Sequence, residues 1–251
     1  MTGLSLFLGA ALGCFIACLA LMPLARRTGL VDRPAGRKQH IGDVPLIGGI
    51  CIFLVFCVGA AAHQSVDWPL LAALLLLISL GVLDDKYDIP ALWKLGGQIM
   101  AALIVCLGSG VIVNSLGTLP SGNELLLGVL AMPMTVIALV GLVNAMNMID
   151  GIDGLAGGLA LLALAHLVIA MQLIGKPVDP TNLAQTLIIC GALSGFLILN
   201  LSFIAGRKVF LGDAGSMMLG LFIGVQLIEA SQRQPLTDTL PTSLVPWMVA
   251  V

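Results

Sequence analysis

Charge is what this sequence lacks. Only 10% of its 251 residues are Asp, Glu, Lys or Arg, against about 25% in an ordinary soluble domain, which excludes a water-soluble globular protein. A basic surplus is missing too: 11 Lys and Arg face 13 Asp and Glu, a formal net charge of −2. Such a chain has no cationic surface to hold nucleic acid through its phosphates. Histidine occurs three times, and the six cysteines (Cys14, Cys18, Cys51, Cys57, Cys106 and Cys190) lie inside uncharged apolar runs with no CxxC pair. Neither a disulfide framework nor a thiolate zinc site is expected, and the cysteines read as small core residues. Repeats, linkers and low-complexity tracts are absent from the sequence, so residues 1–251 are read as a single integral-membrane domain.

In place of charge there is hydrocarbon: 59% of the residues are hydrophobic and the mean hydropathy is +1.10. Charge-free stretches run over 3–25, 44–62, 68–82, 95–113, 125–143, 155–175, 183–205 and 214–228. A spanning helix needs about 20 residues, so these are eight candidate spans, the third and eighth of which must borrow flanking polar residues. A ninth run begins near Leu244 and stops at Val251, so the sequence is expected to be truncated within a membrane helix. The first run has no basic region before it and is followed by Arg26 and Arg27. It reads as a retained helix rather than a cleaved signal peptide.

Numbered outward from the N-terminus, the odd loops hold Arg26, Arg27, Arg33, Arg37, Lys38, Lys86, Lys94, Arg207 and Lys208, and the even loops only Lys176 and Arg233. The positive-inside rule then puts the odd loops in the cytoplasm and the N-terminus outside. On this topology Asp84, Asp85, Asp88, Asp150, Asp153 and Asp213 all fall on the cytoplasmic side, in three separate loops. The remaining acids, Asp32, Asp43, Asp67, Asp179, Asp238, Glu124 and Glu229, read as solvated.

Three segments carry chemistry. Asp84 and Asp85 end an apolar run, and like charges beside hydrocarbon demand a compensating cation or lysine. NAMNMIDGIDGLAGG places Asn144, Asn147, Asp150 and Asp153 three residues apart; at about 100° per residue, neighbours in that series share a helix face. Gly151 and Gly154 let the backbone break there. AGRKVFLGDAGS puts Arg207 and Lys208 before Phe210 and Asp213, with Asp213 also readable as a helix N-cap. Carboxylate oxygens from several loops beside lysine and arginine suit magnesium, with manganese as a substitute, and a phosphorylated substrate. Since magnesium takes one or two protein carboxylates, Asp213 with one of Asp84 or Asp85 is the expected ligand pair. An ion-coupled transporter is the alternative from another class, disfavoured because the acids collect on one face rather than at the midplane.

The strings RKQHIGDVPLIGG (37–49), GVLDDKYDI (81–89), NAMNMIDGIDGLAGG (144–158) and KVFLGDAGS (208–216) together resemble the polyprenyl-phosphate N-acetylhexosamine-1-phosphate transferases. The first two look like the WecA branch, which uses UDP-N-acetylglucosamine (UDP-GlcNAc), more than the branch acting on UDP-MurNAc-pentapeptide. The resemblance implies an all-α polytopic protein of about ten or eleven transmembrane helices when complete, eight of them here. It implies a magnesium-dependent transfer of GlcNAc-1-phosphate from UDP-GlcNAc, or the same chemistry with another UDP-N-acetylhexosamine including UDP-MurNAc-pentapeptide, to a polyprenyl phosphate, namely undecaprenyl phosphate, by a protein surrounded by membrane lipid. UMP is released on the cytoplasmic face of the inner membrane, and a lipid-linked cell-envelope glycan is begun. By the same resemblance Asp84, Asp85, Asp150 and Asp153 are catalytic, Asp213 and Asp84 hold metal, and Asn147 lies near metal and nucleotide. Phe210 stacks on uracil, and Lys94, Lys208 and Arg207 bind substrate. A homodimer is left open. The chain departs from the family in lacking its later HxHH-type motif, which His40, His63 and His166 do not replace.

Overall fold

The computed structural model describes residues 2–32, 42–118, 123–173 and 179–232. Eight α-helices carry the fold: α1 (Gly3–Thr28), α2 (Gly48–Ala62), α3 (Trp68–Tyr87), α4 (Ala91–Gly108), α5 (Ala131–Ile149), α6 (Leu155–Leu173), α7 (Pro180–Asn200) and α8 (Gly212–Gln232). Two small antiparallel pairs join them, β1 (Val31–Asp32) with β2 (Val44–Pro45) and β3 (Ser115–Thr118) with β4 (Glu124–Leu126). Seven of the helices are long and apolar enough to cross a membrane, and the chain is a multi-pass, all-α membrane protein. α2, at 15 residues, rises about 22 Å.

Local chemistry sets the helix ends. Thr2 accepts from Ser5 N at the start of α1. Asp67 and Asp179 do the same for Leu70 N of α3 and Thr181 N of α7, each with proline in the first turn, where its missing N–H costs nothing. These two acids are therefore caps, not simply solvated residues. The expected borrowing of polar residues occurs: α3 runs on through Asp84–Tyr87, and α8 starts at Gly212. Two apolar runs lose their first residues to strands. Val44 and Pro45 pair with β1 instead of joining α2, and Leu125 and Leu126 lie in β4 ahead of α5. The ninth run, residues 33–41, Lys176 and Arg233 lie outside the described residues.

Alternating helices gather the connections after α1, α3, α5 and α7 at one end of the bundle, with β3–β4 at the other. α8 is the axis. It packs against α2, α3, α5 and α6, and every residue from Ala214 to Gln226 is buried. Backbone-to-backbone contact makes this crowding feasible: a Cβ at Gly81 would lie 2.3 Å from Ala214 Cα, and one at Gly49 2.3 Å from Gly215 Cα. Small residues at helix interfaces permit such approach within a membrane. Toward the β3–β4 end, Gln226 accepts from Thr186 Oγ1 (3.2 Å) and donates to Gln185 Oε1 (3.4 Å), so polar groups between α7 and α8 satisfy one another. Glu229 is buried there within 3.5 Å of Asn182 Nδ2, which corrects its reading as a solvated acid. All six cysteines are free, and five are buried.

Candidate active site

At the other end of the bundle α3 terminates in Asp84, Asp85, Lys86 and Tyr87, closed by Asp88 in the left-handed region (φ 50). The reversal lets Ile89 N donate to Asp84 Oδ1 at 3.0 Å. Pro90 then starts α4, which brings Lys94 Nζ to 2.7 Å from Asp84 Oδ2. A buried carboxylate is thus given an ammonium and an amide, the compensation such a group requires.

Asp85, next along the helix, faces α8. Its Oδ1 accepts from Asp213 N (3.0 Å) and its Oδ2 from Ala214 N (3.5 Å). The first amides of a helix have no partner within it and carry the positive end of its dipole; here a carboxylate from α3 serves them. Gly212 makes room for this: its φ is +74, and a Cβ there would lie 2.7 Å from Asp85 Oδ2. Asp213 is therefore in the first turn and is not the cap. Its carboxyl group lies within hydrogen-bonding reach of that of Asp84, and two carboxyls so placed need a shared proton or a cation between them. Because Asp85 serves these amides, Asp85→Asn, which keeps the Oδ1 acceptor, will melt close to wild type, and Asp85→Ala will lose roughly 1 kcal/mol of stability. Thermal unfolding of the two variants in one detergent checks this.

The acid turn follows α5. Ile149 ends the helix, Gly151 N turns back onto Ile149 O at 2.7 Å, and Asp150 is raised to about 7, first by burial and then by the charges of Asp85 and Asp153. Asp153 forms an ion pair with Lys208, whose Nζ stands 5.0 Å from the centre of the Phe210 ring. Phe210 is held by backbone: its N donates to Pro45 O and its O accepts from Gly48 N, both at 2.9 Å. The PLIGG end of the first string thereby anchors the KVFLGD string.

Together these groups wall a cavity of about 710 Å³. The structure brings Asp84, Asp85, Asp150, Asp153, Asp213, Lys94, Lys208 and Phe210 to it. It does not bring Asn147 or Arg207. Asn147 accepts from Ser216 Oγ at 2.8 Å, tying α5 to α8, and Arg207 is exposed outside the wall. Asn144 likewise exchanges hydrogen bonds with Gln98 of α4, at 2.7 and 3.3 Å. The asparagines of the three-residue repeat therefore fasten helices, while its aspartates reach the cavity. Asp32, Asp88 and Asn200 also line it. Nothing in the neighbours of Asp32 marks it for the cavity, whereas Asn200 interrupts an apolar run, which is a signal.

Seven aspartates and two lysines among the described residues form the wall, so an anionic substrate needs a cation to enter. No three His, Cys, Asp or Glu side chains among the described residues are arranged to ligate an ion. The adjacent Asp84 and Asp213 carboxyls fit the lighter demand of magnesium, one or two carboxylates with waters and phosphate oxygens completing the shell.

Comparison with known proteins gives the family. The sequence profile described as glycosyl transferase family 4 matches residues 68–231. The chain is 37% identical over 250 residues to the undecaprenyl-phosphate alpha-N-acetylglucosaminyl 1-phosphate transferase of Haemophilus influenzae, covering 96% of this chain and 68% of that protein. Proteins of the same name from Pasteurella multocida (35% identity, 96% and 67% covered) and Escherichia coli strain K12 (32%, 99% and 66%) are also similar. The chain thus spans about two thirds of the length of these curated relatives. On the profile match and on identity across nearly its whole length, this membrane protein belongs to glycosyl transferase family 4.

Proposed function

We propose that the chain transfers N-acetylglucosamine-1-phosphate from UDP-GlcNAc to undecaprenyl phosphate, releasing UMP, with magnesium held by Asp84 and Asp213. The observation that carries this reading is the convergence of Asp84, Asp213 and the Asp84-paired Lys94 on one cavity, at the end of a membrane bundle where a lipid-borne phosphate can arrive. The names of the relatives support the donor and acceptor. Arg26, Arg27, Lys86, Lys94, Arg207 and Lys208 cluster at that same end of the sequence-derived topology, which favours the cytoplasmic face of the inner membrane. The transporter alternative finds no support.

Chemically, two anionic phosphates must meet, so the main obstacle is electrostatic. When bound, a dication neutralises diphosphate oxygens and steadies the leaving UMP. Lys94 adds a fixed positive charge on the same side. Phe210 offers an aromatic face and Lys208 a cation for the nucleoside phosphate. The acceptor monoester has a second pKa near 6 and is mostly dianionic at neutral pH, so attack requires no general base.

Purified protein given undecaprenyl phosphate, magnesium and either UDP-GlcNAc or UDP-MurNAc-pentapeptide tests the proposal. UMP release is expected with the first donor only, and no release with either rejects it. A proton balance gives a second test. Burial and neighbouring negative charge raise the pKa of Asp150 to about 7; a dication nearby counters that charge, lowers the pKa and expels its proton, as it does any proton that Asp84 and Asp213 share. Calorimetry in two buffers of different ionisation enthalpy should show proton release on magnesium binding at about pH 6.5, fading by about pH 9 where the carboxyl is already ionised. Asp150→Asn should diminish it.

A further inference from the structure

We infer that Asn200 is a positioning residue for the nucleotide end of the cavity, holding the acid turn after α5 against the Lys208–Phe210 segment. The inference rests on the function proposed above. Asn200 closes α7, is 5% exposed, and uses both ends of its carboxamide. Oδ1 accepts from Gly154 N at 2.6 Å, and Nδ2 donates to Val209 O at 2.9 Å. Each partner adjoins a residue of the cavity wall: Gly154 follows Asp153, and Val209 lies between Lys208 and Phe210. The Asp153–Lys208 ion pair and the Lys208–Phe210 contact thus stand on a frame that this one amide joins.

The chemistry is particular to a carboxamide. A neutral side chain must accept from one backbone amide, which is part-buried, and donate to one backbone carbonyl, which is buried, at the same time. Aspartate keeps the acceptor and sets a negative oxygen against Val209 O; leucine, of similar size, offers neither. The turn is also packed on this spot, since Gly154 has φ +75 and a Cβ there would lie 2.4 Å from Leu201 Cδ2. Asp84 and Asp213 are held by other means, through Lys94, Ile89 N and the start of α8. Loss of Asn200 should therefore slacken the grip on the nucleotide and spare the metal end.

The test compares wild type, Asn200→Asp and Asn200→Leu as purified full chains in lipid nanodiscs. The KM for UDP-GlcNAc should rise about tenfold in Asn200→Leu and by less in Asn200→Asp, with kcat and the KM for undecaprenyl phosphate within about twofold of wild type. An unchanged KM for the nucleotide sugar overturns the inference. So does a fall in kcat alone, the mark of fewer folded molecules. Should Asn200→Leu fail to fold, Asn200→Asp decides by the same criteria. Should wild type release no UMP, the proposed function fails separately, and UMP binding by calorimetry judges Asn200: binding weakened about tenfold in the variant sustains its role, and equal or absent binding ends it.

Discussion

Asp213→Ala and Asp84→Ala are each expected to lower turnover on the order of a thousandfold, the worth of about 4 kcal/mol of transition-state stabilisation. The two should not be equivalent in stability. Asp213 shares its carboxyl environment with Asp84 and suffers from it, so Asp213→Ala relieves crowding of like charges and should melt at or above wild type. Removing Asp84 leaves Lys94 at the bundle end without its 2.7 Å partner and Ile89 N without its acceptor, so Asp84→Ala should melt lower. UMP release and thermal unfolding, measured on the same preparations, separate loss of chemistry from loss of fold. Equal turnover in wild type and Asp213→Ala would remove Asp213 from the site.

Gly81→Leu should prevent a native bundle from forming. The position is buried, and a Cβ there would lie 2.3 Å from both Ala214 Cα and Ala214 N. Backbone cannot swing aside as a side-chain tip does, so α3 and α8 must part. Overpacking of a closed core costs about 1–3 kcal/mol even where side chains can adjust; here the separation would also draw Asp85 away from Asp213 N. The expected result is an aggregated or broad elution profile after extraction and no UMP release. Gly141 of α5 has nothing within 4 Å of a built Cβ, and Gly141→Leu should elute and turn over as wild type does. A well-behaved, active Gly81→Leu would contradict the packing described.

The number and order of the helices were legible because hydrocarbon excludes charge, and Asp or Lys punctuates nearly every boundary. Loop parity likewise foretold that Asp84, Asp150 and Asp213 would meet, since alternate connections share an end of the bundle. What stayed hidden depends on the third dimension. Val44–Pro45 and Leu125–Leu126 are as apolar as the helices they precede, and only their strand partners distinguish them. That Asp85 caps a helix distant in sequence, and that Asn147 grips Ser216 rather than facing the cavity, follow from which helices touch. Glu229 was misassigned for the same reason: an acid beside a loop reads as wet whether or not another segment covers it.

The central placement of α8 bears on how the protein is made. Helices enter the bilayer in the order of synthesis, and the one that fills the axis is the last of those described. Until it arrives, the glycine faces of α2 and α3 lack the surface they are shaped for, and the amides that hold Asp85 do not yet exist. Biogenesis must therefore keep the earlier segments apart, or reopen them, long enough to admit the axial helix, and Asp85 meets the amides of Asp213 and Ala214 only at that step.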